Sequence, residues 1–321
     1  MTAAEPGWLD LRVPVDDAAR EYAFPLLDEA ASALSNRSLT AGPERPLVAI
    51  DIGAGTGNSM RWFDAHLTQR LHGRRVQWVL VDADESALEI AADRFGTPVH
   101  TVAAPISSLP DIAAEALAEV FVKAPTVSPH PCDLLITGSA LLDVLTRDDM
   151  AAIVDTLQRF SGIGIFLLSI SGQWHLSPPH ADDSVIDEAF ARHQRRESRL
   201  GTQAAPALEA AADGIGARVE TSASPWHLEA PRDSEFLTRF LTERVDAAIE
   251  EDPDLREVGR TWLQERLKQI ESRPDGQAGR PDGQAAGLSV VVDHTDLLID
   301  AAGNRGRTAD QQAQTSGEPK Q

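Results

Sequence analysis

Residues 47–63, LVAIDIGAGTGNSMRWF, restrict this chain more than any other stretch. Residues 47–50 are apolar without a break, the pattern of a strand buried on both faces in a parallel sheet. Asp51 closes the run, and Gly53, Gly55 and Gly57 follow at alternate positions. From Asn58 onward, Met60, Trp62 and Phe63 open a helical segment. A strand that turns through glycines into a helix brings bare backbone N–H groups to a ligand at the helix N-terminus. The spacing is Gly-x-Gly-x-Gly behind an acid, whereas the dinucleotide fingerprint needs glycine where Asn58 stands. A plain tight turn from strand to helix also uses glycines.

The next segment narrows the choice. Residues 76–81 predict a second strand that ends in Asp82, with Ala83, Asp84 and a helical pattern after it. A carboxylate at the carboxyl end of such a strand can accept both hydroxyls of a ribose. Either acid also suits the cap of the following helix. Asp84 is the better cap, which leaves Asp82 for a ligand.

Taken together, the two segments resemble the first two motifs of the class I S-adenosylmethionine-dependent methyltransferases. The resemblance covers about residues 45–225 well and the rest loosely, and segments SALLDVL, HQRR and SPWHL resemble bacterial small-molecule members. It implies an α/β fold: a doubly wound, seven-stranded, mostly parallel sheet of order 3-2-1-4-5-7-6 with strand 7 antiparallel. It also implies S-adenosylmethionine as cofactor, with Gly53, Gly55 and Gly57 at the methionine part and Asp51, Ala54 and Asn58 beside them. Asp82 is then the ribose acid, Ala83 lies beside the adenine, and Ser139 lies against the cofactor. The family's acid after the third strand is missing. This chain reads AAPISSLPD there, with Pro105 in its place and Ser107 or backbone groups left to make the contact.

Around this centre, residues 1–46 are expected to form an N-terminal helical cap. Residues 1–13 look mobile apart from Trp8, Leu9 and Leu11, and a helix over 15–34 kinks near Pro25. Such a helix either covers the cofactor, as in many methyltransferases, or only packs on the sheet edge. Residues 47–300 form the methyltransferase domain. Its fourth strand spans 132–138, its fifth 162–170, its sixth 217–225, and its last falls within 288–299. Residues 233–272 read as a helical insertion belonging to a substrate lid. The repeated RPDGQA in 273–287 reads as a flexible linker, and 301–321 as a disordered tail.

Candidate chemistry gathers after strands four and five. Asp143 points toward the substrate mouth or caps the next helix. Residues 171–183 are too polar and proline-rich for regular structure, so Trp174, His175 and His180 become candidate substrate contacts at the sheet's carboxyl edge. On a helix reaching about Leu200, Arg192, Arg195, Arg196 and Arg199 recur at helical spacing with His193 and Gln194 between them. That stripe is either a solvated face or a cationic patch for an anionic acceptor. Trp226 ends the sixth strand. The candidate catalytic residues are His193, His175 and Asp143. The substrate set is Trp174, His180, Gln194, Arg192, Arg195 and Trp226.

Composition sets the outer limits. Twenty-nine basic against 50 acidic residues give a net charge of −21, a surface that repels nucleic acid and anionic lipid. One cysteine, Cys132, excludes an intrachain disulfide and a multi-cysteine zinc site, and no HExxH pattern points to a metal. The start of the chain has no leader-like charge and apolar run, so a cytoplasmic location is expected. The expectation is therefore a methyltransferase acting on an oxygen, nitrogen or carboxylate of a small polar, possibly anionic, molecule, as a monomer or homodimer. A nicotinamide-dependent oxidoreductase and a non-catalytic cofactor-binding homologue are the alternatives.

Overall fold

The computed structural model describes residues 6–41, 45–96, 99–123, 132–271 and 287–302. The expected linker (apart from Gly287) and the tail beyond residue 302 lie outside the described residues.

The glycine stretch folds as its pattern predicts. β1 (Leu47–Ile52) is buried along its whole length. Its side chains alternate between two cores: Leu47 and Ala49 join the core on one face, Val48, Ile50 and Ile52 the core on the other. β1 pairs in parallel with β2 (Val76–Asp82) and with β4 (Asp133–Ser139). Outside them lie β3 (His100–Ala103), parallel to β2, and β5 (Ile163–Ser177), parallel to β4. The chain then returns as β6 (Arg218–Ala223), β7 (Trp226–Glu229) and β8 (Ser289–Asp300). The sheet order is β3-β2-β1-β4-β5-β8-β6, with β8 antiparallel to both neighbours and β7 paired to β8 off that path.

This is the expected order with one change: the sixth strand is two. β6 and β7 lie along the same partner, interrupted at Ser224 and Pro225. Proline cannot donate to the ladder. The Ser224 hydroxyl turns inward to the buried Asp296 carboxylate at 2.6 Å.

Helices cover both faces. α1 (Pro6–Arg20), α2 (Phe24–Ala41), α3 (Asn58–Arg70) and α4 (Glu85–Phe95) lie in the first half of the chain. α5 (Leu109–Lys123), α6 (Arg147–Phe160) and α8 (Ala204–Gly214) build the second core. α7 (Asp183–Gln194), α9 (Ser234–Glu251) and α10 (Arg256–Glu271) pack together beyond the end of β5.

Four expectations change. The N-terminal segment is helical from Pro6, not mobile, and its break comes at a 3-10 turn over Glu21–Ala23 rather than at Pro25. α2 runs on to Ala41, past the expected end at 34. β5 extends to Ser177, because Trp174 and Leu176 alternate with polar residues and β8 supplies a partner through Ser177↔Ser289. Finally, the arginine helix stops at Gln194. Glu197 and Ser198 have positive φ, so Arg196 and Arg199 no longer share a helix face with Arg192.

Candidate active site

The ends of β1, β2 and β4 open into one cavity of about 460 Å³. The turn after β1 forms its floor. Gly53 has φ +61°, and a Cβ there would lie 2.5 Å from the Leu141 side chain, so only glycine lets β1 and the segment after β4 close on each other. Ala54, Gly55 and Asn58 continue the lining. The Asp82 carboxylate reaches across from β2, accepting from the Gly55 N–H at 2.8 Å and from the Asp84 N–H at 2.9 Å. Asp84 accepts from the Ser86 hydroxyl at 2.7 Å and caps α4 through the N–H groups of Ser86 and Ala87, and these bonds, the hydroxyl's first, hold its carboxyl below the usual carboxylate range. Ala83 and Ser139 complete this side.

Two residues expected at the cofactor stand elsewhere. Asp51 is fully buried and does not line the cavity; it accepts from the hydroxyls of Ser59 and of Thr137, the latter at 2.7 Å. It ties the start of α3 to β4, and burial pushes its carboxyl up to about 6. Gly57 is the N-cap of α3 with φ +81°, and a Cβ there would meet the Phe95 ring at 2.6 Å. Its role is close packing of the loop on α4. Near β3, Ala104, Pro105 and Ile106 give an apolar wall, and Ser107 is not part of the lining.

The roof is α1. Arg12, Asp16 and Arg20 stand four residues apart, one above another on a helix face, and all three line the cavity. Arg20, only 3% exposed, donates to the Ser139 hydroxyl at 3.0 and 3.1 Å and to Asp17 at 2.9 Å. Arg12 pairs with Asp16 at 2.8 Å. Reading the sequence missed this triplet. The signal was its i, i+4, i+8 spacing, which was lost because Arg12 falls in the segment expected to be mobile and Asp16 and Arg20 in the expected helix.

Beyond Ala140 and Asp143 lies a second chamber of about 190 Å³, sharing Arg12, Ala140 and Asp143 with the first. Its walls come from Trp8, Phe190, Gln194, Trp226, Phe240, Arg244 and His294. Ala140 sits at φ +52°, a strained value for a residue with a Cβ, at the junction itself. On the chamber's other side Leu168 has φ +57° in a bulge of β5. Its N–H donates to Asp296 at 2.7 Å.

Asp143 belongs to both cavities. The helix after it is capped by Thr146 with a capping box through Asp149, so Asp143 is not needed as a cap. Removal from bulk water pushes its carboxyl up to about 6, against the pull of Arg12, Arg244 and Arg199. His294 is buried, and burial together with Arg12 and Arg244 drives it down to about 3, so its ring is neutral at physiological pH. Arg244, 6% exposed, lies against the faces of Phe190 at 4.2 Å, Phe240 at 4.3 Å and Trp174 at 4.9 Å.

Several expected catalytic and substrate residues are not in either cavity. His175 is exposed on the extended end of β5, where the strand pairs with β8, 3.3 Å from Asp293. His180 lies 2.9 Å from Glu265, and His193 lies 3.4 Å from Glu250. Arg192 faces Asp252 at 3.7 Å, and Arg195 is exposed. Of the arginine run only Arg199 reaches the larger cavity. Trp174 is buried in the apolar core, supporting Arg244 from behind. Gln194 and Trp226 do line the chamber. The displaced side chains stand against acids of α9, its C-cap Asp252, α10 and β8.

No protein-family model matches the chain, and no curated protein does. Among solved structures it is similar to the YcgJ protein of Bacillus subtilis, at 15% identity over 84% of this chain and 98% of that one, with a TM-score of 0.42. A putative sarcosine dimethylglycine methyltransferase from Galdieria sulphuraria gives 11% identity, 88% of both chains and a TM-score of 0.38. Haemonchus contortus phosphoethanolamine N-methyltransferase 2, in complex with S-adenosylhomocysteine, gives 11% identity and a TM-score of 0.37 over 84% of this chain and 52% of that one. Similarity at this level does not define an activity. What the fold and cavities define is an open, doubly wound α/β protein with a ligand cavity at the carboxyl edge of its parallel strands, where such sheets bind ligands. Its strand order is the one the resemblance to class I methyltransferases implies.

Proposed function

We propose that the chain is an S-adenosylmethionine-dependent methyltransferase acting on a small molecule. One observation carries the reading. The glycine turn and Asp82 open into the same cavity, and that cavity continues past Asp143 into a separate, aromatic chamber. This is a nucleotide-sized site joined to an acceptor-sized one.

The residues fit the cofactor. Asp82 would take the ribose hydroxyls, exchanging its present bonds to the Gly55 and Asp84 N–H groups for partly shared ones. Gly53 and Gly55 leave the floor without side chains. Arg20 and Asp16 supply one cation and one anion for an amino-acid end, and Ala104, Pro105 and Ile106 an apolar face for a base. The cofactor, when bound, supplies a methyl group already activated on sulfur. What remains for the protein is to align an acceptor with it and to exclude water.

Asp143 stands at the junction and is the candidate base. With its carboxyl near 6 it is ionised at neutral pH yet basic enough to take a proton from an oxygen or nitrogen nucleophile. It lines both cavities, where an acceptor entering from the chamber would meet the cofactor side.

The test is calorimetric titration of the full chain with S-adenosylmethionine, S-adenosylhomocysteine and NAD, repeated with Asp82→Ala. Micromolar binding of both sulfur nucleotides, lost in the variant, supports the reading. Binding of NAD alone moves the protein to the oxidoreductases, and binding of none removes the assignment.

A further inference from the structure

The smaller chamber holds a cation that the fold leaves without a partner. Arg244 is 6% exposed and lines the chamber, yet among the described residues its guanidinium makes no hydrogen bond and no ion pair. Its Nε is buried with no acceptor. A guanidinium carries five N–H donors and is almost never buried without a carboxylate or carbonyl to receive them. Three aromatic rings, Phe190, Phe240 and Trp174, pack against it instead. Rings this close hold the guanidinium in place and offer its N–H groups no oxygen acceptor.

Two of the chamber's other charges, Arg12 and Glu243, are already matched, and Asp143, among the described residues, is not. Arg12 is paired with Asp16 at 2.8 Å, and Glu243, on the rim, is bonded to Arg239 at 2.8 Å. Asp187 and Asp143 act on Arg244 through space without forming an ion pair with it. Further polar atoms in the same walls also lack partners: Nδ1 of His294 and Nε1 of Trp226 are both buried and unbonded. Around them the lining is aromatic and aliphatic, including Trp8, Phe190, Phe240 and Ile170. A flat apolar body with one anionic end would fit the aromatic lining and give the Arg244 guanidinium the acceptor it lacks.

We infer that the chamber is a carboxylate receptor: it takes a small, flat, apolar carboxylic acid whose carboxylate pairs edge-on with Arg244. That this acid is the methyl acceptor rests on the function proposed above; that the chamber selects a carboxylate does not. The arginines read from the sequence as an anion patch, Arg192 and Arg195, stand outside both cavities, so the cation for an anionic acceptor comes from α9.

The experiment uses benzoate and its neutral isostere benzamide as probes. Each is titrated calorimetrically into the full chain, with and without saturating S-adenosylhomocysteine, in wild type, Arg244→Gln and Arg244→Lys. The wild type is expected to prefer benzoate by about tenfold or more, the ratio a single charge-assisted bidentate pair supplies. Arg244→Gln should abolish that preference while S-adenosylhomocysteine affinity stays within about twofold, and Arg244→Lys should retain part of it. Equal binding of the two probes, no binding of benzoate, or a preference that survives Arg244→Gln would overturn the proposal. The wild-type comparison decides even if Arg244→Gln does not fold. Loss of S-adenosylhomocysteine binding in the wild type with the benzoate preference intact would instead remove the cofactor reading and leave the receptor standing.

Discussion

The larger cavity takes its floor and sides from the ends of three adjacent parallel strands, whereas the smaller one gathers side chains from α1, the segment after β4, β5, α7, β7, α9 and β8. In the first, much of the recognition surface is backbone: a turn of glycines, and a carboxylate held at its base by two N–H groups. In the second it is side chain throughout, with aromatic rings and a buried arginine that the rest of the fold does not satisfy. The first design suits a ligand common to many reactions, the second a particular acceptor. The difference also predicts where substitutions act. Changes in the first cavity should alter nucleotide binding for every acceptor, and changes in the second should alter acceptor choice and leave the nucleotide alone.

The strongest way to break that division is at Asp143, one of the three residues both cavities share. Asp143→Asn should lower kcat by about a hundredfold or more if Asp143 takes the proton, while S-adenosylhomocysteine affinity changes by less than about twofold. Initial rates against pH should show a wild-type acid limb near 6, because the ionised form is the active one, and the limb should vanish in the variant. A lost limb with unchanged kcat at high pH would assign Asp143 to binding alone.

Next in size is Asp82→Ala, expected to weaken both sulfur nucleotides by about thirty- to a hundredfold in calorimetry, the worth of hydrogen bonds to a charged group. It should not change the benzoate-to-benzamide ratio of the smaller chamber. If it does, the two cavities are energetically one.

A smaller effect separates positioning from contact. Asp51 and Asp296 lie outside both cavities, and each is raised to about 6 by burial. The folded protein therefore binds these protons more tightly than the unfolded chain. Stability from this source is present in full below the ordinary carboxylate value of 3.8 and is lost as pH rises to about 6. For Asp296 the change amounts to at most about 3 kcal/mol. In Asp296→Asn, a pH series of melting temperatures should lose this part of the fall between about pH 4 and pH 6, a change of several degrees. An unchanged series would mean that the buried carboxylate is not titrating with the fold.

Least affected should be His175→Ala and His193→Ala, which stand against Asp293 and Glu250 outside the cavities. Methyl transfer and nucleotide affinity should both stay within about twofold of wild type. A tenfold loss in either variant would show that the cavity boundary is drawn in the wrong place.

The floor of the larger cavity could be read from the sequence because its parts are contiguous. An apolar run, an acid and spaced glycines are local instructions, and backbone geometry converts them into a turn at a strand end wherever the chain goes next. Asp82 was legible for the same reason, lying at the last position of the next strand with a better cap two residues on. Local pattern does not say which way a side chain turns once it is buried. Asp51 looked like a ligand contact and instead bonds Ser59 and Thr137, because Thr137 arrives from β4, 86 residues away.

The smaller chamber was not legible, and the reason is physical. Arg244 reads in sequence as one more charged residue on an amphipathic helix, and His294 as a polar residue in a strand. Only the packing of α9 against α7, and the bulges that bend β5 along β8, bury them beside Asp143. The histidines of that region and the arginine stripe stood out in sequence because polar residues cluster there. In three dimensions that cluster faces the acids of α9, α10 and β8. Sequence by itself determined the strand–turn–helix at β1, the acid at the end of β2 and the alternation that builds the doubly wound sheet, since each depends on neighbours along the chain. Tertiary structure alone decided which helix roofs the cavity, which carboxylate stands at the junction and which arginine is left without a partner, since each depends on residues brought together from distant parts of the chain.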